Sequence, residues 1–221
     1  MNVFLAVLWK DLVCEWRGRD RAVATLLFSL LVVVIFYFSL NTSEPQRVRE
    51  LAPGLLWIAY AFAAVLGLNR SFALELENDA VTGLALAAHD RGFVFLGKAA
   101  ASFLILGVVQ ALTAAAFALV FDQSWWRAAP SLAAIVALGS VGICSMGTLL
   151  SALAVRTRFR EVMLPLLLLP LLIPVLSGAV GATQDLLAGG TPRFAALQLL
   201  LVVDGVYLIT GFLLFDYVLD E

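Results

Sequence analysis

The sequence predicts an all-α integral membrane protein with six transmembrane helices. Three observations predict it. The mean hydropathy is +1.00 and 62% of the 221 residues are hydrophobic, well above a soluble globular domain. The apolar residues fall into six windows, 22–43, 51–69, 99–121, 128–155, 162–184 and 194–215, and the only charge in any of them is Asp204. A crossing helix needs roughly 20 apolar residues, so each window is long enough. Inside hydrocarbon the backbone polar groups must be satisfied within the segment, which at this hydrophobicity selects helices. Six spans leave no room for a separate soluble domain, so residues 1–221 are expected to form one transmembrane unit.

Lys and Arg set the orientation. With the N-terminus in the cytoplasm, the inner segments hold Lys10, Arg17, Arg19, Arg21, Arg70, Arg91, Lys98, Arg156, Arg158 and Arg160, and the outer loops hold Arg47, Arg49, Arg127 and Arg193. The positive-inside rule therefore places both termini in the cytoplasm. A formal net charge of −2 carries no basic excess that would point to nucleic acid. Cys14 and Cys144 stand far apart without C-x-x-C or zinc spacing, so no structural disulfide or metal site is expected. Lys10 and Asp11 interrupt any apolar leader, so no cleaved signal peptide is expected.

Residues 1–20 read as an interfacial helix. Leu5, Leu8, Trp9, Leu12 and Trp16 fall on one face at steps of three or four, and two tryptophans there suit the boundary of lipid and water. A break is expected near Gly18. The first span follows at about 22–40. Residues 41–50 form an outer loop, and Pro53 suits the start of the second span, about 51–69.

Residues 72–98 are the longest interruption between apolar runs, and the rest of the chain is organised around them. Glu75, Glu77 and Asp79 precede Leu84 and Leu86, and a break follows at His89-Asp90-Arg91-Gly92. A bare connection would be far shorter, and long loops in compact folds are usually functional or disordered. The apolar stretch at 84–88 does not suit disorder. Residues 72–91 are therefore expected to form a cytoplasmic helix that meets a soluble partner, Leu84 and Leu86 anchoring it. Gly92 to Lys98 fits G-x-x-x-x-G-K, but Ala99 stands where a phosphate-binding loop needs Ser or Thr, and no nucleotide domain surrounds it. Lys98 is expected at the cytoplasmic mouth of the third span.

The third span, about 99–121, is Ala-rich with one polar residue, Gln110. Trp125-Trp126 follows as an interfacial belt. The fourth span, about 130–155, carries Gly139, Ser140, Gly142, Ser145, Gly147 and Ser151, small residues that let helices approach closely. Arg156, Arg158 and Arg160 form a cytoplasmic basic loop. The fifth span, about 162–182, holds Pro165, Pro170 and Pro174, whose freed carbonyls neighbouring helices must satisfy. Residues 183–193 turn outside. The sixth span, about 194–215, carries Asp204, and an ionisable group within a span marks function by default. The competing role for Asp204 is a bond to a polar group of the fourth span such as Ser140.

No catalytic constellation is visible. The single His89 lies in the cytoplasmic stretch, and there is no H-E-x-x-H or nucleophile elbow. An intramembrane enzyme would need clustered carboxylates or histidines at one depth, where only Asp204 is available. A pump for haem or lipid would show a wide cavity lined by both Asp204 and Gln110. A permease without a catalytic site of its own needs neither.

The residues carry a resemblance. Lys10-Asp11-Leu12, Leu51-Ala52-Pro53-Gly54-Leu55-Leu56-Trp57, Gly67-Leu68-Asn69-Arg70-Ser71-Phe72, Asp90-Arg91-Gly92, the run from Gly147 to Arg158 and the run from Glu161 to Pro170 resemble the haem exporter protein B family (CcmB). That family is the ABC-2-type permease of bacterial cytochrome c maturation, and the likeness covers nearly the whole chain. It departs at Ala88-His89, where the family tends to have Pro before Asp-Arg. The resemblance implies an inner-membrane subunit, present as a homodimer, that pairs with the ATPase CcmA and works with CcmC and CcmD. ATP is hydrolysed on the partner and haem is handled by the assembly, so no cofactor site is implied on this chain. The implied outcome is release of the haem-loaded chaperone CcmE, the alternatives being direct haem export or a static scaffold for CcmC. On this footing Glu75, Glu77, Asp79, Leu84, Leu86, Asp90 and Arg91 belong to the ATPase-contacting helix.

Overall fold

Apolar runs of this length close their backbone bonds within each segment. The computed structural model, which describes residues 3–40, 45–77, 91–121, 128–154 and 160–220, is accordingly helical wherever it has regular structure. Among the described residues seven helices follow one another: α1 (Val3–Gly18), α2 (Asp20–Ser39), α3 (Pro45–Glu77), α4 (Arg91–Val120), α5 (Ala129–Ala154), α6 (Arg160–Leu187) and α7 (Phe194–Asp220). All but α1 are long and apolar enough to cross a membrane.

Helix α5 is the axis of the bundle and packs on α3, α4, α6 and α7. Within the apolar windows of α3 and α5, 56% and 61% of residues are buried, against 22% for α2 and α7. The sequence cause is the run of small residues in α5. A Cβ built on Gly139 would come within 2.5 Å of the Trp57 ring, and one on Gly147 would overlap Leu68. Both contacts seat α3 directly on the α5 backbone. Gly139→Ala must displace a rigid buried indole, an overpacking cost of about 1–3 kcal/mol. A lowered melting temperature in detergent is the expected reading, and an unchanged one would deny that the α3–α5 seam is tight.

The α1–α2 joint falls one residue later than expected, at Arg19, which adopts a left-handed backbone (φ 54°). This conformation costs a non-glycine residue roughly 1–2 kcal/mol, and Glu15 holds it. The Glu15 carbonyl accepts the Arg19 N–H at 2.7 Å, and its carboxylate accepts the Ala22 N–H at 2.8 Å. The carboxylate also lies 2.7 Å from Arg21 Nε. From this joint α1 folds across the start of α4. Its inner face sets Val7 and the Phe4 carbonyl against Gly97, and its outer face leaves Leu5, Trp9 and Trp16 exposed.

Several boundaries differ from expectation. Pro53 lies inside α3, and Pro45 takes the first position instead. Helix α4 begins at Arg91, eight residues before the apolar window it was read from. Helix α6 continues to Leu187, so Thr183 is buried in a helix and not in an outer turn. The turn itself is closed by Arg193, whose backbone N–H and Nε both donate to Asp185 at 2.9 Å. Hydrogen bonding and the adjacent carboxylate charge hold the Arg193 guanidinium proton more tightly than usual.

The G-x-x-x-x-G-K stretch is the first two turns of α4. A Cβ on Gly92 would meet the Phe212 ring at 2.6 Å, and one on Gly97 the Phe4 carbonyl at 2.9 Å. Both glycines serve helix packing. The Lys98 side chain is buried, with Nζ 3.3 Å from Asp11 Oδ2, so its ammonium ties α4 to α1.

Candidate functional site

A seam of polar side chains runs through the apolar bundle, each paired across helices. Tyr60 Oη of α3 donates to the Gln110 carbonyl of α4 at 3.0 Å. Ser140 Oγ of α5 donates to Gln110 Oε1 at 2.8 Å. Trp57 Nε1 donates to Thr183 Oγ1 of α6 at 3.0 Å, while the Thr183 hydroxyl donates to its own helix at Ala179. Ser29 of α2 and Thr113 of α4 share a hydrogen bond of 2.7 Å. In hydrocarbon such bonds fix which helix faces which, because an unmade one cannot be replaced by water. Sequence reasoning missed Trp57, Tyr60 and Thr183; the signal was present as a Trp and a Tyr three apart inside a span, each with a polar tip needing a partner. Trp57→Phe leaves Thr183 its bond to Ala179, but it removes one hydrogen bond, worth about 1 kcal/mol, and opens space beside Gly139, so a loss above about 1 kcal/mol is expected in a thermal melt.

Gln110 and Asp204 do not meet. Ser140, which holds Gln110, and Gly142, against which Asp204 Oδ1 is pressed, lie two residues apart on α5. At 100° per residue they point about 200° apart around the helix. The bond to Ser140 that stood as the competing role for Asp204 is therefore absent. A cavity of about 360 Å³ lies between α4 and α5, lined by Gln110, Ser140, Tyr60 and a set of alanines, and Asp204 is not part of it. Asp204 is buried, and neither carboxyl oxygen has an aligned hydrogen-bond donor. Its neighbour Tyr207 donates instead to the Leu171 carbonyl at 2.6 Å. That carbonyl lies between Pro170 and Pro174, where the proline rings crowd the helix turn.

Of the residues expected to contact an ATPase, Glu75, Glu77 and Arg91 fall within the described helices. Helix α3 continues without a break past its apolar window and ends at Glu77, so Glu75 and Glu77 form its last turn. Asp79, Leu84, Leu86 and Asp90, like Arg156 and Arg158, lie outside the described residues, and Arg160 opens α6. Arg91 opens α4 and donates from Nη1 to the Asp216 carbonyl near the end of α7 at 3.2 Å. The α1–α4 contact and the end of α7 therefore share one end of the molecule. Among the described residues no group of three or more His, Cys, Asp or Glu could hold a metal ion.

Among the described residues, six long apolar helices, four of them packed about the small-residue helix α5, are joined by buried polar pairs and define an all-helical, multi-pass membrane protein of the permease kind. A family model described as CcmB protein matches residues 2–214, and the chain belongs to that family. The heme exporter protein B of Pseudomonas aeruginosa is 30% identical over 188 residues, covering 85% of this chain and 83% of the relative. That of Paracoccus denitrificans is 31% identical over 194 residues, 88% of each chain. That of Bradyrhizobium diazoefficiens is 25% identical over 211 residues, 96% of this chain and 94% of the relative.

Proposed function

We propose that this chain is the membrane permease subunit of an ABC-type assembly for haem delivery in cytochrome c maturation. A partner ATPase of the CcmA kind hydrolyses ATP, and this chain turns the resulting closure into movement within the inner membrane. The product is release of the haem-loaded chaperone CcmE. Two copies of the chain work together, beside CcmC and CcmD, with both termini in the cytoplasm. The names of the relatives support a place in haem export.

The observation that carries the reading is the length of α3. Its 33 residues make a rod of about 50 Å, while the hydrocarbon layer is about 30 Å thick. The excess after Asn69 takes the last turn, with Glu75 and Glu77, about 12 Å beyond the apolar window. A continuous helix transmits a push at its end to the Trp57–Thr183 and Tyr60–Gln110 contacts in the bundle. Asp204, unpartnered in this arrangement, is the group expected to change neighbours when α7 moves against α5, because buried polar groups ordinarily find partners. Coupling of this kind needs contacts that differ between two states.

Co-purification tests the reading. The chain is expressed with the candidate ATPase, isolated in mild detergent and assayed for bound ATPase and ATP turnover. A stable complex whose turnover depends on this chain is the expected result. An ATPase that neither binds nor responds would overturn it.

A further inference from the structure

Helix α3 leaves its apolar window at Asn69, and just inside that point α5 holds its main chain. Ser151 Oγ of α5 donates to the Leu68 carbonyl at 3.2 Å, and both residues are buried. Its choice of acceptor sets this serine apart. Thr25, Thr113, Ser145 and Thr183 are buried hydroxyls of the same bundle, and each donates to the carbonyl four residues back on its own helix. That is the bond a helix ordinarily offers to a serine or threonine within it. Ser151 crosses to another helix instead. The Leu68 carbonyl does not depend on it, because in a helix that runs on to Glu77 this carbonyl accepts the N–H four residues on. The same turn of α3 is gripped from two sides. Leu68 fills the notch above Gly147 of α5, and Gly67 lies against Thr25 of α2, whose Oγ1 would be 3.4 Å from a Cβ built there. Gly67 and Leu68 point about 100° apart around α3. These side-chain contacts resist sideways movement. The bond to the main chain also fixes height, so α3 cannot slide along its axis without breaking it or carrying α5 along.

We propose that Ser151 is a positioning residue that passes movement of the α3 extension to α5, a role that rests on the reading of α3 as the element that meets the ATPase. A push on the cytoplasmic end of α3 reaches Leu68 before it reaches Tyr60 or Trp57. Helix α5 receives it there through the Ser151 bond, and α5 is the helix on which α3, α4, α6 and α7 all pack. Without the hydroxyl, the Gly147 notch alone joins the two helices at this level, and α3 can shift along its axis while α5 stays in place.

The test uses the full chain with the candidate ATPase. Bound ATPase and ATP turnover are read on the complex purified in mild detergent, and the yield of haem-loaded cytochrome c is read in cells lacking their own copy of this subunit. Ser151→Ala is expected to keep both ATPase readings and to lower the yield about fivefold, the smaller end of coupling between two sites. Ser151→Thr keeps the donor and is expected to hold the yield well above that of Ser151→Ala. Ser145→Ala removes a hydroxyl bond that lies within α5 and is expected to leave the yield unchanged, while melting like Ser151→Ala. Full yield from Ser151→Ala overturns the assignment. So does an equal fall in yield from Ser145→Ala, or a Ser151→Thr chain that melts like the natural one and delivers no more than Ser151→Ala. A Ser151→Ala chain that melts below Ser145→Ala and loses ATPase and yield together overturns it too, since the serine then serves folding alone. If the natural chain neither binds the ATPase nor supports turnover, the proposed function falls and the coupling role with it. That failure shows in the natural chain, whereas failure of the Ser151 assignment shows only in the variants.

Discussion

Replacing Glu75 and Glu77 together by Lys is expected to strip the ATPase from the purified chain, with at least a tenfold fall in bound ATPase and in ATP turnover. Both residues lie on the last turn of α3, past the apolar window, so the substitutions are expected to leave the apolar spans folded. A charge reversed inside a protein interface is a different matter. Truncating one partner of a buried charged pair costs about 2–5 kcal/mol, and each 1.4 kcal/mol is tenfold in affinity. The variant should insert and melt like the natural chain while losing its motor. Unchanged binding and turnover would remove Glu75 and Glu77 from the coupling surface and direct attention to the basic segment at Arg156, Arg158 and Arg160.

The second large effect lies in the protein itself. Asp11→Ala removes the carboxylate 3.3 Å from the buried Lys98 ammonium. Breaking a buried ion pair from one side costs at most about 3–5 kcal/mol, so a loss of stability up to that size is expected. The ion pair joins α1 to α4 beside the packing of Val7 on Gly97, so the exposed Trp9 and Trp16 should report the change in their fluorescence as the melting temperature falls. The double substitution Asp11→Leu with Lys98→Met is expected to recover most of the loss, since apolar pairs of similar volume commonly replace buried ion pairs without penalty. If the double variant is as unstable as Asp11→Ala, the ion pair is not what ties α1 down.

Where the chain crosses lipid was legible, because hydropathy measures the partition of side chains and six windows stand clear of charge. Where each helix ends was less so. Lipid stops near Asn69, but Arg70 and Ser71 are acceptable in a helix and nothing at that point breaks the backbone, so α3 runs on to Glu77. Pro53 illustrates the same gap: proline favours a first turn, yet within a span its neighbours tolerate it, and Pro45 opens the helix. The candidate site was legible residue by residue and not as an arrangement. Gln110 and Asp204 stand out as polar groups in apolar spans, but whether they share a cavity depends on how α4 and α7 pack around α5. Ser140 and Gly142 send them to different sides. Thr183 was placed in an outer turn because the fifth span was read to about 182, although α6 passes all three prolines and continues to Leu187.

In the proposed function, ATP hydrolysis on a partner is converted by this chain into haem delivery. The measurement that tests it most directly is the yield of haem-loaded cytochrome c in cells lacking their own copy of this subunit. The chain is supplied together with either an active or a hydrolysis-deficient partner ATPase. The yield is expected to be restored with the active ATPase and to stay at background with the deficient one. Equal restoration by both would contradict it and make the chain a static scaffold.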